Sequence, residues 1–425
     1  MDGWEVTAPT SLLAGQKEGF PYFHQEVVNR AVNEVGINRI RLEVRSGMEN
    51  VDHNYQQLKN GHITEEGGWR PLRYATVNDN NDPHNLNAAG FDFTELDDAI
   101  DEAALPLRAL LQARGERLWI NVCYVAFTQQ ITTGTYIHGD AEEYAEFVLA
   151  AYLHMQQKYG FTPDTWEVIL EPDNGIVQWS NGGVVGRAIA AAARRLRENG
   201  FTPHFVAPSV TDMGNAGRYF DELAAVPGAV AAMSELSYHR YGGATAANLA
   251  QIVQRAQANG LKTAMLEFWF GQATHQVLHD DLKNGRNSAW QGTLLQELFN
   301  INLADVQHPA ITLREDTRFN LQYYRYIRAG AQRIGASSVA DPFDPVAFIN
   351  TNGTYVVVVE AGGAGDVSVA GLPAGDYRVS YAIAGRSEPA SAPITVAPGG
   401  ILRTTMPAAG VLTVFDSRLA PLVGD

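Results

Sequence analysis

Sulfur chemistry is nearly missing from this chain: a single cysteine, Cys123, stands among 425 residues. That excludes an internal disulfide framework and any cysteine-rich zinc or iron–sulfur site. Positive charge is also scarce. Lys and Arg number 31 against 47 Asp and Glu, a formal net charge of −16, so the long-range field repels phosphate backbones and anionic lipid surfaces. Nucleic acid is therefore not an expected partner. No apolar run approaches the roughly 18 to 20 residues that a membrane span needs, so no membrane partner is expected either. Met1-Asp2-Gly3-Trp4 is not a basic start leading into an apolar core, and no export signal is expected in this chain.

What is present is globular. Apolar residues make up 45% and charged residues 18%, enough for a sizeable core. At about 150 residues per domain the length suggests two or three domains, although a barrel of about 250 residues can be one.

The region from Gly139 to Glu171 shows the local grammar. Tyr144, Phe147, Val148, Ala151, Tyr152 and Met155 recur at helical spacing behind an Asp140 cap, and the pattern stops at Gly160. After Phe161-Thr162-Pro163, the run Trp166-Glu167-Val168-Ile169-Leu170 reads as a strand. The unit then repeats, with a helix over Val184 to Leu196, a second Gly-Phe-Thr-Pro junction at Gly200, and a strand at Phe205-Val206-Ala207.

Extended along the chain, this grammar predicts strands near 4–8, 38–44, 117–124, 165–171, 203–207, 234–239, 261–267 and 309–313. Eight strands alternating with helices imply parallel βαβ units, and the closed form of such a series is a (β/α)8 TIM barrel. The stretch 44–116 is too long for one crossover; Asn, Gly, Asp and Pro crowd Val77 to Gly90, which predicts a long loop over the barrel mouth before a helix at Leu96–Ala113 that contains Pro106.

Beyond about Gly330 the helical period disappears. Val346–Ile349, Tyr355–Val359, Val367–Val369, Tyr377–Ile383, Ile394–Val396 and Val411–Phe415 read as short strands between Gly and Pro turns, which predicts an all-β sandwich. The expected division is a barrel over 1–329 and a β-sandwich over 330–425, which the N-terminal segment could join. Structural support is the expected role of the second domain, with sugar binding as the alternative.

In such barrels the chemistry gathers at the C-terminal ends of the strands. Two carboxylates stand there. Glu171 closes the fourth strand in Leu170-Glu171-Pro172-Asp173-Asn174, and Glu267 closes the seventh in Met265-Leu266-Glu267-Phe268-Trp269-Phe270. A carboxylate at the end of an apolar run is costly unless it is ion-paired or functional. Two of them facing each other across a barrel mouth are what glycosidic cleavage requires.

Glu171-Pro172 at the fourth strand end with Glu267 at the seventh resembles clan A of the glycoside hydrolases, whose members are retaining (β/α)8 enzymes. The resemblance implies Glu171 as acid/base and Glu267 as nucleophile. Arg41, inward on Ile40-Arg41-Leu42-Glu43-Val44, is similar to the arginine near the clan's nucleophile. His239 and Tyr241, in Ser237-Tyr238-His239-Arg240-Tyr241, resemble the clan's histidine and tyrosine beside it. The run Tyr323 to Ile334, followed by Val346–Asn350 and Val356–Val359, resembles the barrel-to-sandwich junction of glycoside hydrolase family 30; enzymes of family 39 also carry a sandwich.

One residue departs from the clan. Leu170 stands where most members have an asparagine that binds the sugar 2-hydroxyl, and Asn174 and Asn121 are the candidates to supply that contact. Trp179 and Trp269 are the candidate rings for stacking on a pyranose face. The implied partner is a β-linked glycan, such as xylan or β-glucan, in polysaccharide degradation outside the cell or in the periplasm. No cofactor or metal is expected. The competing readings are a metal-dependent barrel hydrolase using His239, His275, His279, Asp280 or Asp281, and a carbohydrate-binding barrel that has lost catalysis, with Leu170 as the sign of decay. His275 and His279 have i, i+4 spacing but fall in a stretch that reads as loop.

Overall fold

The computed structural model describes residues 1–419 except 15, 176, 178 and 340. Eight parallel strands close into a barrel in chain order: β1 (Gly3–Thr7), β2 (Arg39–Arg45), β3 (Trp119–Val125), β4 (Thr165–Glu167), β5 (Phe205–Asp212), β6 (Met233–Gly242), β7 (Lys262–Glu267) and β8 (Asn287–Leu294). The N-terminal segment is thus a barrel strand and not part of the sandwich, while the Met1 ammonium donates to the Ala331 carbonyl at the junction (2.8 Å).

The helices form where the spacing predicts. The helix Ala141–Tyr159 starts at Asp140, whose carboxylate accepts from the Glu142 amide, and ends at Gly160, whose φ of 74° closes the last turn at no Cβ cost. Helix Gly182–Glu198 is capped in the same way by Asn181. These helices bury one apolar face against the outer side of the strands in a cluster that includes Ile40, Leu42, Val44, Phe147, Tyr152 and Trp166.

Inside the barrel the lower layer is ionic. Arg39, fully buried, spans to Glu5 on β1 (2.6 Å) and to both oxygens of Glu235 on β6 (2.7 and 2.9 Å), and Gln291 on β8 donates to Glu5 (2.7 Å). A buried charge is tolerable only when paired in this way.

Three expectations change. The eighth strand is Asn287–Leu294; the predicted 309–313 run forms β10 (Ala310–Leu313), which pairs antiparallel with β9 (Phe299–Asn302) in a separate hairpin. The true strand is rich in Asn, Ser, Gln and Gly, so it carries little apolar signal, and its identity comes from pairing with both β1 and β7. Residues His275–Lys283 are helical rather than loop, with the Thr274 hydroxyl accepting from the Val277 amide and Leu278 and Leu282 buried. The 44–116 insertion contains a short helix at Asn54–Lys59, while the expected helix is present as one run over 94–113, whose wider π turn at Ile100–Ala104 comes just before Pro106.

The C-terminal strands are β11 (Gln332–Ile334), β12 (Phe343–Ile349), β13 (Tyr355–Ala361), β14 (Gly365–Val369), β15 (Gly375–Ile383), β16 (Arg386–Glu388), β17 (Ile394–Val396), β18 (Leu402–Met406) and β19 (Gly410–Asp416). They form one seven-stranded sheet, ordered β11-β12-β13-β19-β15-β16 with β17 paired to β15, and the β14–β18 ribbon covers its apolar core. Strand β18 had no sequence expectation, because Leu402-Arg403-Thr404-Thr405-Met406 places only its two ends in that core. The other face of the sheet packs on helix Glu315–Tyr324 and its extension. There Tyr326 stacks on Phe415 with centroids 4.2 Å apart, and Gln322 donates to Ser380 (3.0 Å). Among the described residues no helix is long and apolar enough to cross a membrane.

Candidate active site

The C-terminal rim of the barrel opens into a cavity of about 560 Å³ lined by Glu43, Trp69, Glu171, Tyr241, Glu267 and Trp269 among others. Both carboxylates named from the sequence reach it. Glu171 follows β4 in a left-handed backbone conformation, φ 52°, anchored by its amide to the Ser209 carbonyl (3.1 Å). Such a conformation costs a non-glycine residue on the order of 1–3 kcal/mol and persists where surrounding structure enforces it, often at functional sites. Here it turns the side chain off the strand line into the mouth.

Glu267 ends β7 and is held on both oxygens. Arg41 Nη2 donates to Oε2 at 2.6 Å, and the Tyr241 hydroxyl donates to Oε1 at 3.1 Å. Arg41 is itself 0% exposed and lies over the Trp269 ring, 5.1 Å from its centroid. Trp269 is fixed in turn: its indole donates to Gln291 (2.9 Å) and its amide to the Tyr241 hydroxyl (3.0 Å).

His239 on β6 connects the two carboxylates. Its Nδ1 is 3.0 Å from Glu171 Oε1, and Asn174 donates to the other Glu171 oxygen at 3.1 Å. One atom from each of Glu171, His239 and Glu267 fits within a span of 4.8 Å, so an oxygen of one carboxylate lies no further than that from an oxygen of the other.

Burial pushes the Glu171 carboxyl up, but the hydrogen bond and charge of His239 outweigh it, with help from Asn174. The net displacement is below the ordinary carboxylate value. Burial raises Glu267 further than Arg41 and His239 can offset, leaving it above the ordinary value. Burial lowers His239, yet its bond to Glu171 and the charges of Glu267, Glu171 and Glu167 carry it above the usual histidine value. Glu171 thus holds a proton less readily than Glu267, because the imidazole bonds Glu171 directly, and the three groups titrate together.

Other candidates are placed differently. Trp179 is buried in the aromatic core, its indole donating to the Tyr136 hydroxyl (2.7 Å) and its ring edge-on to Tyr144, so it offers no face to the cavity. Asn121 sits deeper in the barrel, bonded to Glu167 (3.1 Å) and Thr165 (2.9 Å), and is spent there. His239 and Arg41 do not line the cavity; they act on it through Glu171 and Glu267. Leu170 packs with Tyr74, Cys123 and Val125 at the cavity wall, so an apolar surface occupies the position where the resemblance puts an asparagine.

The residues of the metal reading are scattered. His275 and His279 face Glu360 and Asp344 of the sandwich, Asp280 pairs with Arg240, and Asp281 is buried against Tyr238 and Trp290. Among the described residues the one trio of His and carboxylate close enough to share an ion is Glu171, His239 and Glu267. It fits a metal poorly: Arg41 and Tyr241 already use the Glu267 oxygens, and the guanidinium repels a cation.

Several cavity residues were not named from the sequence. Glu43, bonded by Arg41 (3.3 Å) and Arg45 (3.2 Å), was legible from its place two residues after Arg41 on the same strand face. Trp69, Arg73 and Tyr74 come from the 44–116 insertion, whose fold carries no periodicity that would aim them.

Residues 330–400 match the family model described as the glycosyl hydrolase family 30 β-sandwich domain. No curated protein matches the chain. Three solved structures share its architecture at low identity. A family 30 endoxylanase from Clostridium papyrosolvens C71 is 16% identical with a TM-score of 0.67, over 98% of this chain and 96% of that one. An endo-β-1,6-glucanase is 12% identical with a TM-score of 0.62, over 98% and 92%. A family 39 enzyme from Xanthomonas axonopodis pv. citri is 11% identical with a TM-score of 0.54, over 97% and 93%. The barrel and sandwich together thus have the fold of glycoside hydrolase family 30.

Proposed function

We propose that this chain is a retaining glycoside hydrolase that cleaves β-linked glycans through a covalent glycosyl-enzyme. The observation that carries this reading is the pair of buried carboxylates, one just beyond β4 and one at the end of β7, with oxygens no more than 4.8 Å apart across one cavity. Retaining enzymes keep their two carboxyl groups about 5–5.5 Å apart, whereas inverting ones leave about 6.5–9.5 Å for an intervening water. The family 30 fold and the sandwich match support the class of enzyme.

In this mechanism Glu267, kept ionised by Arg41 and oriented by Tyr241, attacks the anomeric carbon. Glu171 gives its proton to the departing oxygen, and the C–O bond breaks as the ester to Glu267 forms. Water then attacks the same carbon while Glu171 takes its proton, which frees Glu267. Trp269 supplies an apolar face for the sugar ring. With Leu170 in the wall, a 2-hydroxyl contact falls to Asn174 or Glu43. The barrel over 1–329 carries the chemistry and the β-sandwich over 330–425 supports it. A polymeric glycan does not enter a cell, so the site of action is extracellular or periplasmic.

The test is hydrolysis of aryl β-glycosides, xylan and β-glucans by the wild type, Glu171→Ala and Glu267→Ala. Both variants are expected to lose turnover, and azide should rescue the activity of Glu171→Ala as a β-glycosyl azide. Unchanged activity in Glu267→Ala, or products of inverted configuration from the wild type, would overturn the reading.

A further inference from the structure

Glu167 is a fully buried carboxylate at the end of β4, four residues before the acid/base candidate, and it does not line the cavity. Its Oε2 accepts from Asn121 at 3.1 Å, but its Oε1 has no hydrogen-bond partner. The nearest cationic group to that oxygen is His239, whose Nε2 lies 4.0 Å away and also lacks a hydrogen-bond partner. The other face of the same imidazole, Nδ1, touches Glu171. The ring is therefore flanked by carboxylates on both nitrogens, one at the cavity and one beneath it. Such an arrangement stabilises the doubly protonated ring, because a carboxylate oxygen lies within 4.0 Å of each nitrogen.

Resting on the glycosidase reading, we propose that Glu167 is a positioning residue that acts through His239: it holds the imidazolium beneath the site, so that His239 stores the proton which Glu171 delivers to the leaving oxygen. The transfer balances. Nδ1–H passes its proton to Glu171 as Glu171 protonates the glycosidic oxygen, leaving a neutral ring protonated on Nε2 toward Glu167. In the second step the proton that Glu171 removes from water returns to Nδ1.

The other charges around the pair are fixed in place. Glu267 from β7 faces the ring and carries its own counterion, Arg41 from β2, so its charge is largely neutralised at 2.6 Å. Arg41, Cys123 from β3 and Glu5 from β1 surround Glu167, and Glu5 is already bound to Arg39. Glu167 is the one carboxylate near the ring that neither touches the cavity nor has a guanidinium bonded to it.

The experiment compares wild type with Glu167→Gln, which keeps the shape and the Asn121 contact while removing the charge. The proton affinity of the His239 ring is read by NMR of histidine labelled with ¹³C and ¹⁵N, and kcat/KM is followed against pH on an aryl glycoside that the wild type cleaves. The expected result is that the His239 titration and the alkaline limb of kcat/KM move together to lower pH by about one unit, a tenfold loss in proton affinity. In a His239→Gln background, Glu167→Gln should move the limb no further.

A merely structural role would lower kcat at every pH without moving the limb. An unmoved limb with an unmoved ring titration overturns the proposal. So does a wild-type His239 that titrates at or below the ordinary histidine value, a measurement that needs no variant to fold. The NMR reading does not depend on turnover. A ring that responds to Glu167→Gln in a protein that hydrolyses no glycoside would leave the Glu167–His239 link standing and remove the glycosidase reading.

Discussion

Removing the charge of Arg41 should disable Glu267 in a pH-dependent way. The guanidinium and carboxylate meet at 2.6 Å with the arginine wholly inaccessible to solvent. For charges roughly 4 Å apart at an effective dielectric of about 20, the attraction is about 4 kcal/mol. That agrees with the ~3–5 kcal/mol typical of breaking a buried pair by deleting one partner. Arg41→Met keeps much of the stem that packs under Trp269 and deletes the charge.

Burial already holds the Glu267 carboxyl above the ordinary value, with Arg41 the largest restraint on it. Without Arg41 it rises further. A nucleophile must be ionised, so kcat/KM near neutrality should fall by about 10²- to 10³-fold. The acid limb should move to higher pH, and alkaline buffer should recover part of the loss. Stability follows the same sign. A carboxyl raised in the folded state contributes stability that is present below its unfolded value and is lost as pH climbs through its folded value. The urea midpoint of Arg41→Met should therefore fall below that of wild type by more at pH 8 than at pH 4.5. A loss of kcat/KM that is equal at all pH values, or a deficit in urea midpoint that does not grow with pH, would refute the argument.

The two tryptophans named from the sequence should separate. Trp269→Ala should cut kcat/KM by at least about tenfold, on the scale of lost ring stacking, while Trp179→Phe should leave KM unchanged and cost about 0.5–1.5 kcal/mol of stability by removing one of the two hydrogen bonds at the Tyr136 hydroxyl, which keeps Tyr124; urea denaturation beside steady-state kinetics distinguishes them. Glu146 on helix Ala141–Tyr159 is wholly buried, neither of its oxygens has a hydrogen-bond partner, and burial with Asp79, Glu49 and Glu143 nearby raises its carboxyl to about 8. Its neutral form is the stable one, so folding stability declines from its unfolded value up toward pH 8. Glu146→Gln should raise the thermal midpoint by a few degrees at pH 8.5 and little at pH 5, and a midpoint lowered equally at both would refute this.

Much of the site was legible because barrel geometry ties function to strand ends. Once 165–171 and 261–267 read as strands, Glu171 and Glu267 had to meet at one rim, and alternation on β2 put Arg41 inside. Trp179 was misread because proximity in sequence to a catalytic strand does not say which way a ring turns. Its indole finds the Tyr136 hydroxyl in the core, a partner 43 residues away.

The sequence by itself determined the periodicities, the cap at Asp140, and the order of most helices and strands. These are local properties, set by the spacing of apolar residues and by side chains that bond their own backbone. Tertiary structure alone decided which segment closes the barrel, since Asn287–Leu294 has weak local preference and becomes a strand by pairing with β1 and β7. It also decided the proton order of the site. Glu171 and Glu267 are the same residue type at equivalent strand ends, and what separates them is that one meets the His239 ring and the other the Arg41 guanidinium. Those partners come from strands 68 and 226 residues away in the chain, and their fields act only once the barrel has closed around them.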